Sequence, residues 1–230
     1  MLEQPVTDKA AAAGVVLDMV SFIEIRFRSD VDTIVEVEEL CGLPVTAVFT
    51  STNAVRAVAE VVKNLEPDWD IYCLGTATVK AVMEVFGDDA IVGTATDAAD
   101  LGELIIDDEV CEVVFFCGDK RLDTLPGLLH EQEISVHEMV MYETVETPVA
   151  AEKKYDGVLF YSPSGVRSFF SVNKPEAGTV LFAIGDTTAS ALGEFTLAEP
   201  VVGKKHSKES LVDEAIQYFQ QRASVSEDAG

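Results

Sequence analysis

Four short segments of this chain place glycine or small hydroxylated residues between an apolar run and a stretch of helical spacing. They are Thr50-Ser51-Thr52-Asn53, Gly75-Thr76-Ala77-Thr78, Ser162-Pro163-Ser164-Gly165 and Gly185-Asp186-Thr187-Thr188. Taken singly, each is explained by helix capping, because Ser, Thr and Asn side chains accept hydrogen bonds from the free N–H groups of a first turn. Recurrence at four matched places points to more than capping. A helix N-terminus presents N–H donors and the positive end of a dipole, so it holds an anion without a basic side chain. A small molecule bearing several carboxylates fits that chemistry. The candidate contacts are Thr50, Ser51, Asn53, Gly75, Thr76, Thr78, Ser162, Ser164, Gly165, Gly185, Thr187 and Thr188. Cations near the same turns are Arg56, Lys120, Arg121, Arg167 and Lys204; a solvated surface charge is the ordinary role of each.

Other chemistries lack their residues. No G-x-G-x-x-G follows a strand, and Gly203-Lys204-Lys205 has neither the upstream glycine nor the hydroxyl residue of a phosphate loop. His130, His137 and His206 show no metal-ligand spacing among themselves or with the cysteines and read as surface histidines. Cys111 and Cys117 stand six apart on one strand and read as buried structural thiols. Tyr161, Phe169 and Phe170 read as core or cleft wall. Forty-one acidic residues face sixteen basic ones, a net charge of −25 with a pI near 4.2. That balance excludes a general nucleic-acid binder and a protein docked on anionic lipid. Four scattered cysteines do not make a disulfide framework. No apolar run reaches the about eighteen residues of a membrane span, and MLEQPVTDKAAAAG does not read as a signal peptide. The expectation is a soluble cytoplasmic protein.

The elements that must position these turns alternate. Apolar runs at 46–50, 70–74, 112–117, 157–161 and 179–184 read as buried strands. Helical spacing covers 53–65, 77–86, 98–106, 122–131, 165–171, 187–192 and 208–222. Hydrophobic residues are 48% of the chain and mean hydropathy is +0.20, enough to fill a core. Alternation of this kind predicts an α/β protein with a mostly parallel sheet covered on both faces.

An internal duplication refines that prediction. TAVFTSTNAVRAV resembles DGVLFYSPSGVRSF, with Ser51, Val55 and Arg56 matching Ser162, Val166 and Arg167 at an offset of 111. IYCLGTATVKAV then resembles LFAIGDTTASAL, with Gly75 and Thr78 matching Gly185 and Thr188 at 110, and the register continues to Leu101 and Leu211. Two similar doubly wound parallel-sheet domains are therefore expected. EISVHEMVMY (133–142) also resembles VVLDMVSFI (15–23), each after a helix. This places residues 1–24 and 156–230 in a first domain and 31–142 in a second, inserted one. The connections 25–30 and 143–155 then form a two-stranded hinge. Strand tips in such sheets rim a ligand crevice, so a cleft between the domains is the expected site.

The ordered set VFTSTNAVRAV, YCLGTATVKAV, VVFFCGDKRLDTLPGLL, VHEMVMYET, VLFYSPSGVRSFF and VLFAIGDTTASAL resembles the uroporphyrinogen-III synthase family along nearly the whole chain. The resemblance implies a lyase of tetrapyrrole (haem) biosynthesis acting on hydroxymethylbilane. Water is lost, the last pyrrole ring is inverted, and the macrocycle closes. It implies no metal and no cofactor, no nucleic-acid or membrane partner, and a flexible monomer. Gly118 and Arg121 join the candidate substrate contacts, and the resemblance makes Tyr142, in Tyr142-Glu143-Thr144, the proton donor or hydrogen-bond partner of the departing hydroxyl; packing at the hinge is the plainer role. Family members open on a strand before the first helix, and by both the resemblance and the duplication this sequence starts already in that helix: either its start is misassigned or trimmed, or the first domain lacks a central strand. Two other classes compete. A non-catalytic two-domain binder of a polyanion would use the same turns. A nucleotide or flavin enzyme would need the glycine-rich loop this chain lacks.

Overall fold

The structure, a computed structural model, describes residues 4–205 and 207–227. In chain order the elements are α1 (Gln4–Ala12), β1 (Ile23–Phe27), α2 (Val31–Leu40), β2 (Val45–Phe49), α3 (Thr52–Val62), β3 (Trp69–Leu74), α4 (Thr76–Phe86), β4 (Ile91–Ala95), α5 (Ala98–Asp107), β5 (Glu112–Gly118), α6 (Thr124–Glu131), β6 (Ser135–Glu146), β7 (Gly157–Phe160), α7 (Pro163–Val172), β8 (Val180–Ala183), α8 (Asp186–Gly193), β9 (Val201–Val202) and α9 (Lys208–Glu227). The chain divides into two units, one of residues 1–24 and 145–230, the other of residues 25–144. We call them unit 1 and unit 2.

Unit 2 is built on a sheet of order β1-β6-β5-β2-β3-β4. The pairs β6–β5, β5–β2, β2–β3 and β3–β4 are all parallel. Successive residues of its inner strands face opposite layers, as a pleat requires. Ala47, Phe49, Ile71, Cys73 and Phe116 pack with α3 residues Ala54, Val55 and Val58. Val48, Tyr72, Phe115 and Cys117 pack with Leu101 and Ile105 of α5 and Leu125 and Leu129 of α6. Burial on both faces is why these strands are apolar throughout.

Unit 1 holds a parallel sheet of order β7-β8-β9. Phe160, Leu181 and Ala183 meet α7 and α8 through Val166, Phe169 and Leu192. On the other face α1 packs against α9, with Ala10, Val212 and Ile216 in contact. The layers match those of unit 2: α7 and α8 stand where α3 and α4 do, and α9 and α1 where α5 and α6 do. The protein is α/β with parallel-sheet cores, as its strand and helix patterning predicts.

Three local features depart from the sequence reading. The sequence reading places no element at 91–95. That segment is β4, and Gly93 is there because a Cβ would overlap the Tyr72 ring and Leu104. The reading places none at 31–40 either. That segment is α2, opened by Asp30, whose carboxylate accepts from the Thr33 N–H (3.0 Å) and hydroxyl (2.9 Å). Cys111 is exposed and lies just ahead of β5, so the pleat parity that buries Cys117 does not reach it. His130 and His137 are exposed, the latter 2.9 Å from Glu36; His206 lies outside the described residues.

Ser168 is fully buried on α7 and its hydroxyl has no hydrogen-bond partner among the described residues. Its counterpart in the duplication is Ala57, buried on α3. An unsatisfied buried hydroxyl costs about 1–3 kcal/mol, so Ser168→Ala is expected to stabilise by about 1 kcal/mol in urea unfolding; a loss of stability would show the hydroxyl is bonded. The net charge of −25 makes each unit repel itself. Salt shortens the screening length from about 10 Å at 0.1 M to about 3 Å at 1 M. The thermal midpoint is therefore expected to rise over that range of KCl, and a flat or falling midpoint contradicts the charge argument.

Candidate functional site

Because β6, β5, β2, β3 and β4 are parallel, their carboxyl ends lie along one edge of the unit 2 sheet. Ser51 follows β2, Gly75 follows β3, Gly118 ends β5, and Tyr142 lies in β6 beside Gly118. Ser51 is the N-cap of α3: extended backbone brings its Oγ to accept from the Asn53 N–H at 3.1 Å. The same Oγ is 3.0 Å from the Tyr142 hydroxyl, either being able to donate. Gly118 is buried, and the space its Cβ would take is filled by the Tyr142 ring. The turn after β5 is tied down as well. The Asp119 N–H donates to the Tyr142 carbonyl (3.1 Å), and the Thr144 N–H donates to the Asp119 carboxylate (2.8 Å). Tyr142 is thus fixed at both ring face and hydroxyl. A phenol so placed can donate a proton or a hydrogen bond to a leaving group.

Arg121 is engaged. Its Nη2 donates to Glu138 at 2.6 Å, Nε donates to the same carboxylate, and Nη1 donates to Asp123. The Glu138 carboxylate is the main reason the guanidinium holds its proton even more firmly than usual. A substrate carboxylate at Arg121 would share or displace these partners. Among the other named cations, Arg56 and Lys204 are exposed, and Arg167 reaches Glu146 and Ser164 at 3.4 Å each.

The glycine-led turns differ from the serine-led ones. Gly75 has φ +78°, a left-handed conformation that glycine adopts without strain. It leaves the N-terminus of α4 without a side-chain cap, so first-turn amides there are open to a ligand. In unit 1, Ser162 caps α7 through the Gly165 N–H at 3.1 Å, with Pro163 in the first turn. Gly185 opens α8, again with no side-chain cap. Asp186 stands in that first turn where unit 2 has Thr76, so α8 already carries an anionic side chain at its positive end. Thr78, Ser164 and Thr188 are buried, while Thr76 and Thr187 are exposed. Each unit brings its own turns together at its strand tips.

Two cavities lie away from these turns. One of about 400 Å³ in unit 1 is lined by Lys153, Tyr155, Val158, Asn173 and Lys174 among others, at the amino end of β7. One of about 390 Å³ in unit 2 lies by the end of α3, at Val62, Leu65 and Phe86. In sheets of this type ligands bind at the carboxyl ends, so the turns outrank both cavities. Among the described residues no group of three or more His, Cys, Asp or Glu is placed to hold a metal ion, and no helix is long and apolar enough to cross a membrane.

Residues 5–213 match the family model of uroporphyrinogen-III synthase HemD. The chain belongs to the uroporphyrinogen-III synthase family. It is 28% identical over 177 residues to the uroporphyrinogen-III synthase of Saccharomyces cerevisiae, covering 65% of this chain and 64% of that one. The match therefore spans less than two thirds of that relative's length. Among solved structures, a mutant uroporphyrinogen III synthase from Thermus thermophilus superposes with a TM-score of 0.64 at 16% identity over 95% of both chains. The uroporphyrinogen-III synthetase of Helicobacter pylori gives 0.65 at 22% identity over 86% of this chain and 92% of that one. These likenesses show the fold. For this family member the sequence reading missed Asp119, which ties the β5 turn to β6, and Glu138, which occupies Arg121. Neither carries a sequence signal, since both act across neighbouring parallel strands.

Proposed function

We propose that this member of the family catalyses the closure of hydroxymethylbilane to uroporphyrinogen III, releasing one water and inverting the last pyrrole ring. Membership over residues 5–213 carries the reading, and the fixed Tyr142 supports it. The pyrrole nitrogen lone pair expels the terminal hydroxyl, and Tyr142 donates the hydrogen bond or proton that lets it leave as water. The resulting azafulvene is attacked within the same molecule, and holding that geometry is the protein's main task. The substrate's carboxylates are held by main-chain N–H groups and hydroxyls of Thr50, Ser51, Asn53, Gly75, Thr76, Thr78 and Gly118 in unit 2, and of Ser162, Ser164, Gly165, Gly185, Thr187 and Thr188 in unit 1. Arg121 contributes through its pair with Glu138 and Asp123. The enzyme works without a cofactor, as a monomer in the cytoplasm; its four cysteines are all free thiols, which suits a reducing compartment. Incubation with freshly made hydroxymethylbilane tests this. The type III isomer is expected; the type I isomer alone, formed at the spontaneous rate, would leave a binding protein without chemistry.

A further inference from the structure

The duplication that matches the Ser51 and Gly75 turns with those at Ser162 and Gly185 matches one more turn, and there the two units differ in charge. At the offset of 110, Gly203-Lys204-Lys205-His206-Ser207-Lys208 falls on Gly93-Thr94-Ala95-Thr96-Asp97-Ala98. Each stretch leads from a strand to a helix, β4 to α5 in unit 2 and β9 to α9 in unit 1. The cap is kept: the Asp97 carboxylate accepts from the Ala99 and Asp100 N–H groups, and Ser207 Oγ accepts from the Ser210 N–H at 3.1 Å. The charge is not kept. Lysine stands in unit 1 where unit 2 has Thr94, Ala95 and Ala98, so three of the chain's sixteen basic residues fall within residues 204–208.

Neither packing nor capping accounts for these lysines. All three are exposed. Among the described residues none of their ammonium groups pairs with a carboxylate, although Lys9, Lys63, Lys153 and Lys154 each do. Lys208 opens α9, where its charge opposes the positive end of the helix dipole. Glu214 reaches the turn, but its carboxylate accepts from the main-chain N–H of Lys204 at 3.1 Å and from the Ser210 hydroxyl at 3.3 Å. The position of the turn is telling. Since β7, β8 and β9 are parallel, it leaves the same edge of the sheet as the Ser162 and Gly185 turns. The Gly203 N–H donates to the Ala183 carbonyl at 2.8 Å, and a Cβ on Gly203 would lie 3.3 Å from the Ile184 carbonyl oxygen. Gly185 follows directly. The lysine turn thus lies beside the start of α8, where Asp186 already sets a negative charge. A carboxylate bound there meets that charge, and nearby cations offset the repulsion.

We infer that the turn between β9 and α9 is a side-chain carboxylate site, in which the ammonium groups of Lys204, Lys205 and Lys208 hold acid groups of the substrate at the strand tips of unit 1, a role that rests on the function proposed above. The site adds cations to the main-chain donors of the Ser162 and Gly185 turns. An ammonium is a compact charge on a flexible four-carbon stem, which suits carboxylates carried on flexible arms, and the stem can cover the apolar ring that bears them. These contacts are made equally before and during ring closure, so they act on binding and not on the chemical step.

Steady-state kinetics on hydroxymethylbilane test this with Lys204→Gln, Lys205→Gln and Lys208→Gln combined. KM is expected to rise about tenfold, as three exposed pairs of modest strength would give, with kcat and the type III isomer kept. At 1 M KCl, where the screening length is about 3 Å, the gap from the parent should close. Arginine at all three positions should keep the parent KM. A control, Lys153→Gln, Lys154→Gln and Lys174→Gln combined, removes the same charge around the cavity at the amino end of β7 and should leave KM where it was. The inference is overturned by an unchanged KM in the first variant, by an equal rise in the control, by a gap that persists at 1 M KCl, or by arginine acting as glutamine does. Each of those leaves intact the function of a parent chain that makes the type III isomer. A parent that yields only the type I isomer overturns function and site together.

Discussion

Replacing Gly118 with alanine is expected to lower kcat/KM by about two orders of magnitude, because a misplacement of about 1 Å in a positioning group can cost that much. The ring of Tyr142 fills the volume a Cβ would need. An added methyl must push the ring away and stretch the 3.0 Å contact between the Tyr142 and Ser51 hydroxyls. Overpacking a buried site also destabilises, by about 1–3 kcal/mol, so rate and unfolding are read together. The cause is separated by a double-mutant cycle. Once Tyr142 is Phe there is no hydroxyl to misplace, and Gly118→Ala should then have much less effect on rate. A full second loss in that background would place the role of Gly118 elsewhere.

Tyr142→Phe by itself is expected to lower kcat about a hundredfold, the lower end of what general acid catalysis contributes. KM should change little, because the ring still packs on Gly118. The type III isomer should still dominate, since the fold and not the phenol holds the geometry of closure. An unchanged rate reduces Tyr142 to packing. A switch to the type I isomer would mean that the hydroxyl, and not the fold alone, sets the stereochemical course. Ser51 is the natural companion to this test: its Oγ caps α3 and meets the phenol at once.

What could be read from sequence follows from what each feature depends on. Strands β2, β3, β5 and β8 are largely buried on both faces and β7 is half-buried, and that burial is written directly as apolar runs at 46–50, 70–74, 112–117, 157–161 and 179–184. The turns were legible because capping demands Ser at positions 51 and 162, and the α4 N-terminus demands glycine at position 75. The duplication was legible because both copies keep these demands at one spacing. Strand β4 was hidden by Gly93, whose cause is a ring on the neighbouring strand. Helix α2 was hidden by valines that stay partly exposed, Val31 and Val35 among them. The link between Ser51 and Tyr142 joins residues 91 apart and needs the order β6-β5-β2 to be known first. The same holds for Arg121 and Glu138: sequence shows a cation near a turn, and only strand register shows a carboxylate waiting for it.

The central claim is that main-chain donors at the strand tips hold a polycarboxylate. Its most direct test is an amide-resolved NMR titration with uroporphyrinogen III under anaerobic conditions. Shifts are expected at Asn53, Thr76, Ala77 and Gly118 in unit 2 and at Ser164, Gly165 and Thr187 in unit 1. Shifts confined to residues 150–179 around the cavity at the amino end of β7, with those turns unmoved, would contradict it.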